Sequence, residues 1–217
     1  DYHVPVCAWR SVTSSTLAFA HECFIDELAH KAGKDPMDFR LQMLPESSDT
    51  RRVLEKLREF SNWNTPLPAG KGRGMGQWLF FAGLCAQVVE VSYVQNKIKV
   101  DKVYAVIDLG TVVNPDNVKN QVEGAIIMAL TAATKPGITL ADGKVQQANF
   151  DTAPVLRINE TPPEINVLIL AEGGEKIKGV GEPGLPPFAP ALCNAIFAAT
   201  GKRIRKLPVD LTSICPA

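Results

Sequence analysis

The chain has 217 residues, of which 46% are hydrophobic and 21% charged, and its 23 basic and 23 acidic side chains give a formal net charge of zero. This composition is ordinary for a soluble globular protein. It shows no basic stripe that would indicate a nucleic-acid partner, and no apolar run approaches the roughly 20 residues that a membrane-spanning helix needs.

Helical patterns fill the first part of the chain. Residues 16–32 carry apolar side chains at helical spacing, and Gly33 is a natural end for that helix. A second helix is predicted to begin at Asp35 and Pro36, because Asp is a good N-cap and Pro suits the first helical position. Residues 49–61 predict a third helix. The charged side chains in the segments FIDEL and LEKLREF are expected to face solvent.

A β-rich part is predicted to follow. The Pro- and Gly-rich segment 62–76 reads as a linker, and its last six residues, KGRGMG, as the end of that linker or as a strand entry with a bulge. Two long strands, 77–94 and 97–110, flank a turn at Gln95 and Asn96.

Helices and strands alternate in the rest of the chain. The predicted elements are a helix that begins after Asn114, weak strands at 138–140 and 144–149, a buried strand at 164–171, a helix at 190–200 and a last strand at 203–209. Because hairpins are mixed with helices, we predict an α+β fold of mixed sheets with packed helices. We divide it into a mainly helical segment, 1–70, and an α+β segment, 71–217.

Cysteine and histidine usage indicates no metal site built by this chain alone. The five cysteines are scattered without a C-x-x-C pair, and the three histidines lack H-E-x-x-H spacing. His21 and His30 are expected on a helix surface. The sequence begins with Asp1 rather than Met and shows no signal-peptide pattern, so we expect either a cut precursor or a piece of a larger polypeptide.

One carboxylate stands in an unusually stiff segment, KGVGEPGLPPFAP, at residues 178–190. Pro183 holds Glu182 in an extended conformation, and the three glycines permit close approach of the backbone to a bulky group. A carboxylate held this firmly could act as a general base. The alternative is a surface turn with a solvated Glu.

Other candidate residues have two interpretations each. Gln121, in KNQVEGA, is either a ligand-binding amide or a solvent-facing one. Arg10, in CAWRSV, could hold a phosphate or carboxylate, or form a surface salt bridge. Phe80, Phe81 and Leu84 could line a pocket or belong to the core, and the core is the preferred interpretation.

Three segments, in this order, resemble the molybdenum-binding subunits of the xanthine oxidase family. They are WRSV…FIDELAHKAGKDPMDFRL, VIDLGTVVNPDNVKNQVEGAI and GVGEPGLPPFAPALCNAIFAATGKRIRKLP. The resemblance extends from Arg10 to Pro208 and is greatest to the large subunits of isoquinoline 1-oxidoreductase and related aldehyde dehydrogenases. It implies the fold of the C-terminal part of the family's molybdopterin-binding domain.

The resemblance also implies a cofactor and residue roles. The cofactor is molybdenum with a pyranopterin, usually as the cytosine dinucleotide, and the reaction is hydroxylation of an aldehyde or N-heteroaromatic. Glu182 is the expected general base on the Mo–OH group, and Gln121 the expected hydrogen-bond partner of the pterin. Arg10 lines the cofactor site, and backbone groups of Val180 and Gly181 flank the metal. No protein ligand to the metal is expected.

Only the C-terminal portion of the family's molybdenum subunit is represented, which implies partners. We expect a separate chain that supplies the N-terminal portion, a [2Fe–2S] subunit that receives electrons, and a cytochrome c subunit as a further candidate. The remaining partner is a small-molecule substrate. Ser11 stands where carbon monoxide dehydrogenases of the family have Cys, which argues against CO as that substrate.

Two other functions remain open at this point. The chain could be a non-catalytic structural or docking subunit that retains the family fold, or a stand-alone domain that binds a small molecule. Molybdenum and pterin content of the native complex separates the first from the catalytic hypothesis. The compartment also stays open between the periplasm and cytoplasm of a bacterium.

Overall fold

The computed structural model describes residues 6–171 and 177–216. The helices in these ranges are α1 (Ser14–Lys31), α2 (Pro36–Gln42), α3 (Asp49–Phe60), α4 (Pro115–Thr134) and α5 (Phe188–Thr200). The strands are β1 (Lys71–Phe80), β2 (Gly83–Val94), β3 (Lys97–Asp108), β4 (Leu140–Ala141), β5 (Lys144–Val145) and β6 (Glu164–Leu170), and a 3-10 turn spans Ile158–Glu160. The α+β fold is confirmed.

Local capping signals account for several helix ends. The Asp35 carboxylate accepts the backbone N–H of Met37 at 2.8 Å, as expected for the N-cap of α2. The Asn114 side chain does the same for Asn117 at the start of α4, at 3.0 Å. At the end of α5, Gly201 has φ +75°, the left-handed conformation that glycine adopts at low cost.

The main sheet has four strands in the order β1-β2-β3-β6. The first two pairings are antiparallel, and β6 runs parallel to β3. Helices α4 and α5 pack on one face of the sheet, and α2 and α3 on the other. Because β2 is covered on both faces, its residues 83–91 are all buried, which explains the nearly continuous apolar run there.

The predicted strand 77–94 is wrong, because the chain turns within it. Phe81 and Ala82 form the hairpin turn between β1 and β2, with φ of 48° and 61°. For the segment KGRGMG the linker interpretation is wrong, and the alternative of a strand entry is confirmed, although without the bulge. The segment forms the first six residues of β1, in unbroken register with β2.

The glycines of β1 are needed for helix packing. A Cβ added to Gly74 would lie 2.1 Å from the backbone nitrogen of Ala195 in α5, and one added to Gly72 would lie 2.2 Å from the Ala195 carbonyl oxygen. Real Cβ atoms do not approach this closely, so these glycines let α5 rest directly on the strand. The sequence pattern typical of a flexible linker is here a packing surface.

Two further expectations about strands are wrong. Residues 203–209 form no strand; Val209 instead donates its N–H to the carbonyl of Ala133, at the end of α4, at 2.7 Å. The strands expected at 138–140 and 144–149 are reduced to the two-residue pairs of β4 and β5. The division at residue 70 stays a prediction.

Within the part of the chain that the structure describes, no helix is long and apolar enough to cross a membrane.

Candidate active site

Three segments that are distant in the sequence meet in front of α5. They are the turn that precedes α1, the N-terminal half of α4, and the stiff loop, residues 177–187. The contacts among them join four of the five residues singled out from the sequence.

Arg10 ties the segments together. Its Nε donates to the carbonyl of Gly181 at 2.6 Å, and its Nη2 donates to both the backbone carbonyl and the side-chain Oε1 of Gln121, each at 3.1 Å. These partners lie 171 and 111 residues away in the sequence. The planar fork of the guanidinium suits such multiple contacts, so Arg10 fixes the loop relative to α4.

Burial and charge oppose each other at Arg10. Burial of the guanidinium lowers its pKa from the ordinary value, and the nearby Glu182 carboxylate raises it by a smaller amount. Glu182 is therefore the main negative charge that acts on the bridging arginine.

Ser11 holds the next residue of the loop. Its hydroxyl donates to the carbonyl of Glu182 at 2.8 Å, and its backbone N–H points at Oε1 of the same residue at 3.4 Å. Ser11 and Val12 have φ of 68° and 46°, which is costly for residues with a Cβ and most of all for a β-branched one. Such strain persists where the surrounding contacts enforce it, and here the strained turn presents Arg10 and Ser11 to the loop together.

The Glu182 carboxylate is only half satisfied. Its Oε2 is shielded from solvent and has no hydrogen-bond partner among residues 6–171 and 177–216. A buried polar atom without a partner costs roughly 1–3 kcal/mol, and more when charged. Such an atom in a native protein calls for an explanation, such as a catalytic role, a bound ion or a water molecule.

Small residues seat the loop against its neighbours. A Cβ added to Gly184 would lie 3.2 Å from the Ala125 Cβ on α4, and one added to Gly83 would lie 2.7 Å from Pro183. Gln87, fully buried in β2, donates from Nε2 to the Gly184 carbonyl at 2.6 Å. The loop is therefore held from α4 on one side and from the sheet on the other.

The first residues of the loop are held by ion pairs. Asp108, at the end of β3, accepts from Arg52 at 2.8 Å and lies 3.5 Å from the Lys178 ammonium. The backbone N–H of Lys178 also donates to Leu109 at 3.3 Å. Asp108 thus anchors the start of the loop.

Gly181 and Val180 differ in their surroundings. A Cβ added to Gly181 would meet no atom within 4 Å, so its Cα faces open space. Val180 is half-buried and packs against the core that α4 and α5 share with the sheet. Their expected role beside a metal stays a prediction.

Three apolar residues around the β1–β2 turn, Phe80, Phe81 and Leu84, differ in exposure, and Phe80 is half-buried. Leu84 is buried, as the core interpretation predicts, but Phe81 is 66% exposed, which contradicts it. Phe81 lies next to the loop: a Cβ added to Gly179 would be 3.9 Å from its Cβ. The Phe80 and Phe81 rings are 4.3 Å apart, so an apolar aromatic surface borders the Glu182 loop.

Two residues in these contacts escaped the sequence analysis as candidates for a role in the site. In the sequence Ser11 is identified only as the residue that stands where relatives have Cys, and Gln87 only as part of the predicted strand 77–94. A polar side chain inside the buried run GLCAQVVEV was the available signal for Gln87, because a buried amide needs partners. No local signal marks Ser11. Among the described residues, no group of three or more His, Cys, Asp or Glu side chains could hold a metal ion.

Comparison with known proteins gives this geometry a context. Residues 12–162 match the family model described as a molybdopterin cofactor-binding domain. The chain is 35% identical over 212 residues to isoquinoline 1-oxidoreductase subunit beta of Brevundimonas diminuta, an alignment that covers 95% of this chain and 27% of that subunit.

A second curated relative is the membrane-bound aldehyde dehydrogenase (pyrroloquinoline-quinone) of Gluconacetobacter polyoxogenes. It is 34% identical over 225 residues, with 92% of this chain and 28% of that protein covered. The chain therefore spans little more than a quarter of the length of either relative. Quinoline 2-oxidoreductase from Pseudomonas putida 86 has the same fold, with a TM-score of 0.79 over 95% of this chain and 52% of that one, at 13% identity.

Proposed function

The chain belongs to the family of molybdopterin cofactor-binding domains, and from that premise we propose that it is the part of a molybdenum-dependent oxidoreductase that carries the proton acceptor. The proposed reaction is oxidation of an aldehyde or an N-heteroaromatic compound. The names of the two curated relatives support this substrate class. The observation that carries the proposal is the buried Oε2 of Glu182, which has no described partner, in a loop held by hydrogen bonds from the turn before α1 and from β2.

The residues present fit a pterin cofactor at this site. Gln121 exposes its side-chain amide beside Arg10, and both can donate hydrogen bonds to the polar edge of a pterin. Gly181, which precedes Glu182 in the sequence, faces open space. When bound, the molybdenum–pyranopterin supplies the two-electron oxidation of the substrate carbon, with oxygen derived from water.

The protein's own contribution is positioning and proton transfer. Glu182 Oε2 accepts the proton that is released as oxygen is transferred, and Oε1 stays with the Ser11 N–H. Arg10 and Gln87 keep the loop from moving away, so little reorganisation is needed during the reaction. The exposed Phe81 ring offers an apolar surface for a planar substrate.

Further chains complete this enzyme in our proposal. We propose that a companion polypeptide supplies the rest of the pterin site. The two curated relatives contain a further portion that could have this role, since the matched regions are 27% and 28% of their length. The cofactor is the cytosine dinucleotide form. A [2Fe–2S] subunit takes the electrons, with a cytochrome c subunit as a further acceptor.

Glu182→Gln in the assembled enzyme tests the proposal. We expect turnover of an aromatic aldehyde or N-heteroaromatic, followed with a dye as electron acceptor, to fall by about 10²–10⁴-fold, the usual contribution of a general base. Molybdenum and pterin content should not change. Glu46→Gln, at an exposed carboxylate, is the matched control and should keep full activity.

Three results would contradict the proposal. Full turnover by the Glu182→Gln enzyme would show that Glu182 is not the proton acceptor. An active, intact complex without molybdenum would favour the non-catalytic structural subunit. Extraction of pyrroloquinoline quinone instead of a pterin would assign a different cofactor chemistry.

A further inference from the structure

Helices α1 and α5, which are far apart in the sequence, lie in direct contact. The side-chain amide of Asn194 in α5 donates to the backbone carbonyl of Glu22 in α1 at 3.4 Å, across 172 residues of sequence. Further along the same two helices, the rings of His30 and Phe197 meet edge to face with their centroids 4.9 Å apart. These contacts fix which sides of the two helices face each other.

Each helix places a cysteine on this interface. Cys23 lies seven residues before His30, and seven residues are about two helical turns, so both side chains lie on one side of α1. Cys193 lies four residues before Phe197, which places both side chains on one side of α5. Because His30 and Phe197 are in contact, the two cysteines lie on facing sides of the helices.

The two thiols are in contact, and only one of them reaches the surface. The hydrogen bond of the Cys193 thiol with the Cys23 thiol raises the pKa of Cys193 well above its ordinary value, and burial raises it further. Cys193 is 2% exposed, whereas Cys23 is half-buried, and neither forms a disulfide in this structure. A dissolved reagent can therefore reach Cys23, with Cys193 directly behind it.

The half-buried thiol has a cation beside it. Arg205 is exposed, pairs with Glu27 one turn further along α1, and interacts with Cys23. Reactive cysteines are partly exposed and lie in electropositive surroundings, whereas buried ones are inert. The fully buried Cys85, whose pKa burial raises to about 12, belongs to the inert kind. Cys23 has the surroundings of the reactive kind.

We propose that Cys23 and Cys193 form a reversible disulfide between α1 and α5 when the protein meets a low-molecular-weight disulfide such as oxidised glutathione. The Cys23 sulfur attacks one sulfur of the reagent, which releases one small thiol and leaves a mixed disulfide. The Cys193 sulfur then attacks the Cys23 sulfur and releases the second small thiol. The two protein thiols lose two electrons and two protons, and the reagent gains both.

This bond connects the elements on either side of the candidate active site. Helix α1 follows the turn that carries Arg10 and Ser11, and α5 follows the loop that carries Glu182. A bond between the helices limits how far the turn and the loop can separate. It also closes a loop of about 170 residues in the unfolded chain, so the oxidised form should resist unfolding more than the reduced form. The inference goes beyond the proposed function and does not depend on it.

Oxidation of the purified, assembled enzyme tests the inference. The enzyme is incubated with oxidised glutathione, the remaining thiols are blocked with iodoacetamide in denaturant, and unreduced peptides are identified by mass spectrometry. We expect a peptide pair joined through Cys23 and Cys193, with the loss of two alkylatable thiols per chain. Dithiothreitol should restore both thiols. The urea concentration at the unfolding midpoint should be higher for the oxidised enzyme.

Two cysteine variants separate the two steps. Cys193→Ala keeps the accessible thiol and removes the one behind it, so Cys23 should stop at the mixed disulfide with glutathione, with no rise in the unfolding midpoint. Cys23→Ser should leave Cys193 unmodified, because the reagent does not reach a thiol that is 2% exposed. The matched control is Cys215→Ser, at an exposed cysteine near the end of the chain, which should form the Cys23–Cys193 bond as the wild type does.

Three results in the wild type would overturn the inference. They are recovery of Cys23 and Cys193 as free thiols after oxidation, a lasting glutathione adduct on Cys23, and a disulfide that joins Cys23 to a different cysteine. Because the readout is the state of the thiols and not turnover, failure of this inference is distinguishable from failure of the role proposed for Glu182.

Discussion

Two clusters in this protein each contain a glutamate, an arginine and a glutamine, but the glutamate is fully hydrogen-bonded in one cluster and only partly in the other. Glu22, Arg40 and Gln77 meet between α1, α2 and β1, and Glu182, Arg10 and Gln121 meet at the loop before α5. In each cluster an arginine connects segments that are distant in sequence. The clusters differ in how completely the carboxylate is paired.

Both oxygens of Glu22 have partners. Oε1 accepts from His21 at 3.0 Å, and Oε2 accepts from Arg40 at 3.0 Å and from the backbone N–H of Gln77 at 3.2 Å. Glu182 has one long hydrogen bond to Oε1 and none to Oε2 among the described residues. A fully paired buried carboxylate stabilises the fold, whereas the Oε2 of Glu182 has no described partner and adds no such stabilisation.

The largest effect on stability should come from Glu22→Gln. The change leaves Arg40 buried without its counter-charge, and breaking a buried pair in this way costs about 3–5 kcal/mol. Denaturant unfolding of the variant measures the loss. Glu27→Gln, on the same helix but paired with the exposed Arg205, is the control and should cost far less because solvent screens that pair. Equal losses in the two variants would contradict the structural role of Glu22.

Much of the fold could be predicted because the signals were local. The caps at Asp35 and Asn114 and the final Gly201 are set by neighbouring residues, so those helix ends followed from the sequence. The turn at Phe81 and Ala82 could not be predicted, since neither residue favours positive φ. The pairing of β1 with β2 imposes that turn on them.

The two carboxylate clusters show where sequence reasoning ends. The charges of FIDEL were expected to face solvent, and for Asp26 this is wrong because Arg203, 177 residues away, compensates its burial. Glu182 and Gln121 were identified through a family resemblance. Their approach depends on the contacts of Arg10 with Gln121 and Gly181 and of Ser11 with Glu182, which span 111 and 171 residues and are encoded by no local pattern.

Replacement of the bridging arginine Arg10 by Lys should lower the free energy of unfolding less than Glu22→Gln does. Arg10→Lys removes the fork that links Gly181 to Gln121, and each such hydrogen bond is worth about 1 kcal/mol net. We expect little change in unfolding but several-fold less bound molybdenum per chain. Arg40→Lys should behave oppositely, with a clear loss of stability. If Arg10→Lys kept its full metal content, the bridge would not matter for the cofactor.

The Glu22 cluster should also make stability depend on pH. Burial alone would raise the pKa of Glu22, but the Arg40 charge and the hydrogen bonds from His21 and Arg40 bring it below the ordinary value of 4.5. Its contribution is therefore present above pH 4.5 and is lost as the pH falls through the lowered folded pKa.

The contribution of His21 to stability depends on pH with the opposite sign. Its hydrogen bond to Glu22 raises its pKa above the ordinary 6.5, so its contribution is present below pH 6.5 and is lost as the pH rises through the raised value. The stability difference between the wild type and Glu22→Gln should thus be largest near pH 5–6. Urea unfolding between pH 3 and 8 measures it. A difference that did not change with pH would show that neither group titrates as proposed.

The smallest effect on stability should come from Glu182→Gln. The substitution keeps an oxygen for the Ser11 N–H and removes a charge whose second oxygen has no described partner, so the free energy of unfolding should change by less than about 0.5 kcal/mol or rise slightly. Glu22→Gln under the same conditions is the internal comparison. A loss above about 2 kcal/mol for Glu182→Gln would place its carboxylate in the structural class of Glu22. An unchanged or higher stability together with lost turnover is the pattern of a group kept for chemistry at the expense of stability.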